Sequence, residues 1–423
     1  MHLTYRKTCR VCGSTALTPV ISLGEQHLQG SFYKEGEAAP PLRKIDCSLV
    51  RCNPTQDEAA CGMLQMAKSV PPSVLYAAYW YRSGTNQTMR SHLAGIAETA
   101  TAMAGKGAKS ALTVLDIGCN DGTLLKAYPA KYKRFGVDPS DIAREIDARA
   151  ITVVNDLFPS AELDKVTKGK KFDVITSIAM FYDLEDPVGF ARNIERYLTD
   201  DGLWIVEMSY MPRMLEMNSY DTICHEHLEY YSLAVLEQIM RRANLKVVRV
   251  EENDINGGSI RCYVAKADSI RYRNAEWQSQ IATMRQLEFD LELDTDKPYK
   301  DFQDRINVHR QKLVQMLTDL KKKGARIHIY GASTKGNTIL QWCGIDNRLI
   351  ECAAERNPDK YGARTLGTDI PIVSEAESRA MKPDYYLVLP WHFAAEFLKR
   401  EEATLASGIG MIFPLPEISV VKR

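Results

Sequence analysis

The residues able to do chemistry fall into three clusters. In the first, the apolar run Thr113–Ile117 carries Asp116 and leads through Gly118-Cys-Asn120-Asp-Gly122 into a helix start at Thr123. A strand, a glycine turn and a helix N-terminus together make the ligand crevice of an open α/β sheet. The spacing is not the Gly-x-Gly-x-x-Gly of dinucleotide folds, and it leaves room for an amino-acid moiety where a pyrophosphate would sit. About twenty residues on, a second apolar strand ends in Asp138, whose carboxylate suits a ribose because it can accept from both hydroxyls. Asp156 closes a third strand, where it can accept from the exocyclic amine of an adenine. Ser177 opens the stretch 177–183 at the C-terminal end of a fourth strand, on the ligand-binding face of such sheets.

The second cluster is His225-Glu226-His227, within 218–232 and after a fifth strand. It is not the His-Glu-x-x-His of a zinc protease. Histidines two apart share a face only in extended chain. Such a run can supply a base, an orienting carboxylate and a polar contact. Histidines number eight in the whole chain, so two in three residues mark this segment as the place for proton chemistry. A cluster that merely lines the surface or the core is the other reading. Upstream, Tyr76, Tyr79, Trp80 and Tyr81 run into the polar turn Arg82-Ser-Gly-Thr-Asn86. These aromatics are either core or a lid in which a tyrosine hydroxyl meets the cofactor's amino-acid end. Tyr79 is assigned to the cofactor and Tyr81 to the catalytic set. Asn256 and Ser259 bracket an Asn-Gly-Gly-Ser turn whose backbone can come close to a ligand.

The third cluster is Cys9-Arg-Val-Cys12-Gly13, a knuckle that aims two thiolates at one point. A metal site needs a second pair from Cys47, Cys52 and Cys61. Cys52 and Cys61 are preferred because Cys61-Gly62 repeats the Cys-Gly form, with Cys47 the alternative. Four thiolates suit zinc, with iron the other soft-ligand choice, and they leave no open position, so the metal is structural. A short module with few large apolar residues needs such a staple.

These clusters must be held by about two or three domains in 423 residues. Lys+Arg and Asp+Glu are 54 each, which argues against a dedicated nucleic-acid or membrane-surface protein. No His-x-x-x-His follows the knuckle to make a nucleic-acid finger. No apolar run approaches the roughly 18 residues of a membrane span, and the first residues hold no apolar leader core. The expectation is a cytoplasmic monomer or homodimer. Strands alternating with helices predict a doubly wound, mostly parallel sheet. Within it, 89–103 reads as an amphipathic helix and 142–150 as another. Residues 271–323 are charged and helix-periodic, with Pro298 as a break. A strand at 326–331 then leads into Ala332-Ser-Thr-Lys335-Gly-Asn337, a donor-rich helix start whose amides and Lys335 can hold a phosphate, with Arg356 a second anion contact.

Asp116-Ile-Gly-Cys-Asn-Asp-Gly122 resembles motif I of the class I S-adenosylmethionine-dependent methyltransferases. Taken with the cysteine knuckle, the His-Glu-His run, Asn-Gly-Gly-Ser and Gly-Ala-Ser-Thr-Lys-Gly-Asn337, nearly the whole chain is similar to the sugar C-methyltransferases of deoxysugar biosynthesis. The resemblance implies methylation of C3 of a nucleotide-linked 4-keto-6-deoxysugar, with His227 as catalytic base and Glu226 beside it. The O- or N-methylation of a non-keto acceptor is the alternative. It implies an α/β chain of three units: a zinc-binding module (1–70), a Rossmann-like methyltransferase domain (71–270), and a helical linker with a Rossmann-like domain for the nucleotide handle (271–423), to which Asn256, Ser259, Lys335, Asn337 and Arg356 contribute. The chain departs from the family pattern in two places. Cys224 stands where a tyrosine often precedes His-Glu-His, and Ala179-Met-Phe-Tyr-Asp183 follows the fourth strand where a histidine often does.

Overall fold

The computed structural model describes residues 3–36, 41–75, 81–105 and 111–423. Its centre is a seven-stranded sheet in the order Leu245–Asn253, Ser259–Lys266, Leu198–Ser209, Phe172–Ile178, Thr113–Ile117, Lys133–Val137, Thr152–Val154. Ser259–Lys266 runs antiparallel to both of its neighbours, and the other pairings are parallel. The strand order reverses at Thr113–Ile117, which is where an open sheet forms its ligand crevice.

Alternation along these strands explains why helices cover both faces. Val114, Val174, Leu203 and Ile205 pack with Met89, Leu93, Ile96 and Ala100 of the helix Gln87–Gly105. Leu115, Ile117, Ile175, Trp204 and Val206 face the opposite way, onto the helices Pro187–Tyr197 and Leu233–Arg242. The expected helix at 142–150 is reduced to a single 3-10 segment, Asp141–Glu145. Asp147 ends it, because its carboxylate accepts from the Arg149 amide and its carbonyl from Ala150, a side-chain turn that competes with helix.

The N-terminal module is a four-stranded sheet ordered Glu229–Tyr230, Leu64–Met66, Ile45–Cys52, Leu17–Gln26. Its edge strand therefore comes from the segment just after His-Glu-His. The charged linker forms two helices, Ala275–Asp290 and Lys297–Lys322, and Pro298 opens the second one rather than breaking it, as its missing N–H allows. Arg51, fully buried, pairs with Asp296 at 2.5 Å and donates to the Asp294 carbonyl, fixing that helix start to the module.

The C-terminal sheet is ordered Ile372–Ser374, Ala353–Glu355, Ile327–Tyr330, Tyr385–Val388, Gly410–Phe413, Ser419–Val421, parallel except for the last strand. Phe32–Lys34 from the N-terminal region pairs with Ala363–Thr365 of this unit. Among the described residues no helix is long and apolar enough to cross a membrane.

Candidate cofactor, metal and catalytic site

The knuckle cysteines converge. Cys9, Cys12, Cys52 and Cys61 place their ligand atoms within 4.8 Å of one another, with Cys9–Cys61 at 3.5 Å and Cys12–Cys52 at 3.4 Å. A tetrahedral zinc with bonds of about 2.3 Å separates its sulfurs by roughly 3.8 Å, so the donor set fits after a small expansion. Hydrogen bonds from Cys52 and Cys61 pull the Cys9 thiol well down, while the same cluster of contacts pushes Cys61 up. Sulfurs this close share protons that a cation would replace. Cys47 lies elsewhere: it is fully buried, its thiol faces the Ile223 carbonyl, and burial pushes it up to about 12.

A cavity of about 560 Å³ opens where the central sheet, the His-Glu-His segment and the C-terminal unit meet. At its floor Gly118 holds φ +75°, and a Cβ there would stand 3.1 Å from Met180 Cγ. Glycine is needed for both the backbone and the space. Asp138 organises the loop: one carboxylate oxygen accepts from the Asn120 amide at 2.8 Å and the other from the Ser140 amide and hydroxyl. Asp116 accepts from Thr176 at 2.6 Å, and burial pushes its carboxyl up to about 7. Asn120, in the left-handed region at φ 49°, spends its side chain on the Tyr81 carbonyl and the Ser83 amide, so it clamps the segment 81–86 over the loop. Gly122, also left-handed, starts the helix Thr123–Ala127 from behind the cavity, and a Cβ would touch Ile146. Asp156 lines the cavity with its oxygens accepting from Leu157 and Ser160.

Several expectations need correction or relocation. Ser177 does not line the cavity; it is buried with its hydroxyl accepting from Trp204 Nε1, because it points to the other face of its strand. Ile178, Ala179 and Met180 take the cavity position. Ser259 is likewise turned inward, donating to the Ile255 carbonyl. Asn337 is buried and donates to the Gln29 carbonyl, which makes it a crosslink between the C-terminal helix Thr334–Cys343 and the N-terminal module. Tyr79 lies outside the described residues; Tyr81 stands 48 % exposed at the cavity wall.

The two histidines do not share a face, because the chain turns at 224–226. His225 points away from the cavity. Its Nδ1 meets Gln29 Oε1 at 2.6 Å and its Nε2 the Ile45 carbonyl at 3.1 Å, and burial lowers it to about 4. With both nitrogens engaged it is an anchor to the N-terminal module, not a proton carrier. His227 lines the cavity. Its Nδ1 meets the Thr222 carbonyl at 2.7 Å, which fixes the proton there and leaves Nε2 as the lone-pair nitrogen. Tyr182 packs on the ring at 4.3 Å between centroids. Burial, and then the charge of Lys335, hold the imidazole down at about 3, so it is neutral at any working pH. Glu226 also lines the cavity with the Thr334 hydroxyl as partner, and burial raises it to about 7. Gly30 makes room for it, since a Cβ there would fall 1.7 Å from Glu226 Oε1. Cys224 is fully buried and outside the cavity lining.

The C-terminal wall carries Asn256, Lys335 and Arg356. Glu355 closes the second strand of its sheet and accepts from the amides of Ala332, Arg356 and Asn357, the same loop-organising arrangement that Asp138 makes. The sequence reading missed this residue, as well as Tyr182, Thr334 and His392 on the cavity wall. Glu355 has the same signal as Asp138, an acid at the end of a second strand. The others have none, because only the fold brings them to the cavity.

Three family models match in succession: a zinc binding domain over residues 9–76, a methyltransferase domain over 89–250, and a C-methyltransferase C-terminal domain over 254–416. The C-methyltransferase NovU of Streptomyces niveus is 27 % identical over 416 residues, covering 98 % of this chain and 96 % of that one. Among solved structures, magnesium protoporphyrin IX methyltransferase (ChlM) from Synechocystis PCC 6803 with bound SAM covers 42 % of this chain and 81 % of its own, at 14 % identity and a TM-score of 0.32. An S-adenosylmethionine-dependent methyltransferase from Clostridium acetobutylicum ATCC 824 covers 42 % and 92 %, at 12 % identity and a TM-score of 0.34. With the zinc-binding, methyltransferase and C-terminal domains in that order along its length, the chain is an S-adenosylmethionine-dependent methyltransferase that is similar over its full length to a C-methyltransferase.

Proposed function

We propose that the enzyme methylates C3 of a nucleotide-linked 4-keto-6-deoxysugar. The observation that carries this reading is His227: a neutral imidazole, its Nδ1 proton committed to the Thr222 carbonyl, in the same cavity as the glycine loop and the C-terminal wall. Asp138 and Asp156 would hold the ribose and adenine of S-adenosylmethionine, Asp116 and the Gly118–Asn120 backbone would meet its amino-acid end, and the bound group would supply an electrophilic methyl on a sulfonium. The C4 ketone acidifies the C3 proton. His227 Nε2 takes that proton, and the C3–H electron pair moves into an enolate. The enolate carbon C3 is the nucleophile that would take the methyl, with the carbon–sulfur electron pair leaving to sulfur. The protein's task is to hold the two carbons in line and exclude water that would return a proton to C3. Glu226 orients the sugar beside the base. Arg356, with Arg400 and the Phe393 and Phe397 rings on the same wall, suits the phosphates and base of the handle.

The test uses such a sugar in heavy water. Deuterium entering C3 without cofactor, and a C-methyl at C3 with it, is the expected result, and both are abolished by His227→Asn while cofactor binding persists. A methyl on oxygen or nitrogen, with no exchange at carbon, would overturn the reading in favour of a non-keto acceptor.

A further inference from the structure

We propose that Lys335 is a catalytic residue that stabilises the negative charge on the substrate's carbonyl oxygen as the neighbouring C–H proton leaves. The proposal rests on the enolate reading above. The sequence assigns Lys335 to a phosphate, but the fold puts it elsewhere. Its Nζ donates to the Asn256 carbonyl at 2.8 Å, and both residues line the cavity. Among the described residues no carboxylate stands within 4.0 Å of that nitrogen to form an ion pair. An ammonium has three donors, and this one spends a single donor on a neutral carbonyl. Burial pulls the Lys335 ammonium below its usual range, with Asp221 opposing the shift, so its charge is costly to keep in the cavity unless the cavity's function is to bring an anion to it.

The groups around it say which anion. Lys335 acts electrostatically on His227, His392 and Asp221, and Cys224 lies within its field. Every one of these belongs to the His-Glu-His region or to the strand end facing it. The next residue toward the N-terminus, Thr334, holds Glu226. The cation is therefore beside the base, while Arg356 lines the C-terminal wall further along, where Arg400 is paired with Glu375 at 2.8 Å. Ser333 caps the helix Thr334–Cys343 by accepting from the Gly336 amide, so the positive end of that helix points at the same place. Asp221 acts on the ammonium through space but does not contact it: burial holds its carboxyl above the usual carboxylate range, its Oδ2 accepts from Trp391 Nε1 at 2.9 Å, and Oδ1 has no partner.

The geometry also resolves why a base can be held down by a neighbouring cation. Lys335 disfavours a lone imidazolium, but it favours the pair of imidazolium and enolate, because the new negative charge arises between them. The step balances: the C3 proton moves to His227 Nε2, the C–H electron pair becomes the C3–C4 double bond, and the carbonyl π pair moves onto the oxygen facing Lys335.

The experiment compares wild type with Lys335→Met and Lys335→Arg, each zinc-loaded and checked for cofactor affinity. At saturating nucleotide keto-sugar, Lys335→Met should slow both C3 deuterium exchange and kcat by roughly 10²–10³-fold, the effect of removing one oxyanion donor, with KM changed only a few-fold. Lys335→Arg keeps the charge and should recover part of the exchange rate. The acid limb of the exchange-rate profile should move to higher pH in Lys335→Met, because His227 loses its cationic neighbour. A rise in KM with exchange and kcat preserved would assign Lys335 to the phosphates and overturn the proposal. Should the Met variant lose cofactor affinity, the Arg variant decides: exchange as slow as in a fold-defective chain overturns it, and exchange well above that supports it. Absence of exchange and methylation in wild type across keto sugars would fail the enolate reading itself, a result distinct from either.

Discussion

Glu226→Gln tests whether the carboxyl beside the base is held against its own ionisation. Burial raises it from an ordinary 4.5 to about 7, with the Thr334 hydroxyl opposing the shift. The folded chain then keeps a proton that the unfolded chain has released. Stability from this group is full below pH 4.5 and is lost as pH rises through 7. Integrating the two titrations from pH 5 to pH 8 gives a loss of about 2.5 kcal/mol in the wild type that glutamine, which does not titrate, avoids. The assay is urea unfolding of both zinc-loaded proteins at the two pH values, read as a difference of differences so that every other titrating group cancels. The variant should gain on the wild type by about that amount at pH 8 relative to pH 5, while losing methyl transfer. A gap between the two proteins that is the same at both pH values would refute the argument, because it would mean that the carboxylate is already ionised at pH 5 and is held in that form.

Two further outcomes follow from the same geometry. Cys61→Ser should cut zinc affinity by more than about 100-fold, since even outer-shell changes cost 10–100-fold; metal analysis should find less than one ion per chain, and transfer should fall with it, because Leu64–Met66 carries the edge strand Glu229–Tyr230. Full activity in the metal-free variant would break the link between metal and catalysis. Gly30→Ala drives a methyl into the space of Glu226 Oε1. Displacement of that side chain should lower transfer by roughly 10²-fold with cofactor affinity kept, as isothermal titration and a methyl-transfer assay would show, and unchanged turnover would mean that Glu226 has room to spare.

What was legible in the sequence was local. Thr113–Ile117, Gly118 and Asp138 announce themselves because strand, turn and strand end are contiguous, and backbone stereochemistry demands glycine where φ is +75°. The cysteine pairs are legible for the same reason, since a knuckle is a short-range object. Side-chain direction along a strand was less so. Ser177 and Ser259 sit at the right places in the chain but face inward, and a one-residue error in phase moves a side chain to the other side of a sheet. His225 and His227 could not be separated without the turn at 224–226. The roles of Lys335, Thr334 and Gly30 depend on contacts between residues 79, 108 and 196 positions apart, from Lys335 to Asn256, Thr334 to Glu226 and Gly30 to Glu226, and no spacing rule reaches that far.

That distribution bears on why a structural zinc module belongs to this enzyme at all. The segment 218–232 has little regular structure of its own: one 3-10 turn, Tyr220–Thr222, and the two-residue strand Glu229–Tyr230. Alone it could not hold an imidazole to the accuracy that proton abstraction needs. It is tied instead on three sides. Glu229 and Tyr230 pair with Gln65 and Leu64, three to four residues past Cys61; His225 is held by Gln29 and Ile45; and Leu228 donates to the carbonyl of Tyr182, in the 3-10 turn Phe181–Asp183 that follows the strand Phe172–Ile178. The C-terminal helix completes the frame through Thr334 on Glu226 and Asn337 on Gln29. Four thiolates around one ion are the stiffest element available to a module this small. On the proposed mechanism the metal would act at a distance, by fixing the sheet edge onto which the segment carrying His227 is registered, and a chain that lost it would keep its glycine loop and lose the place of that imidazole.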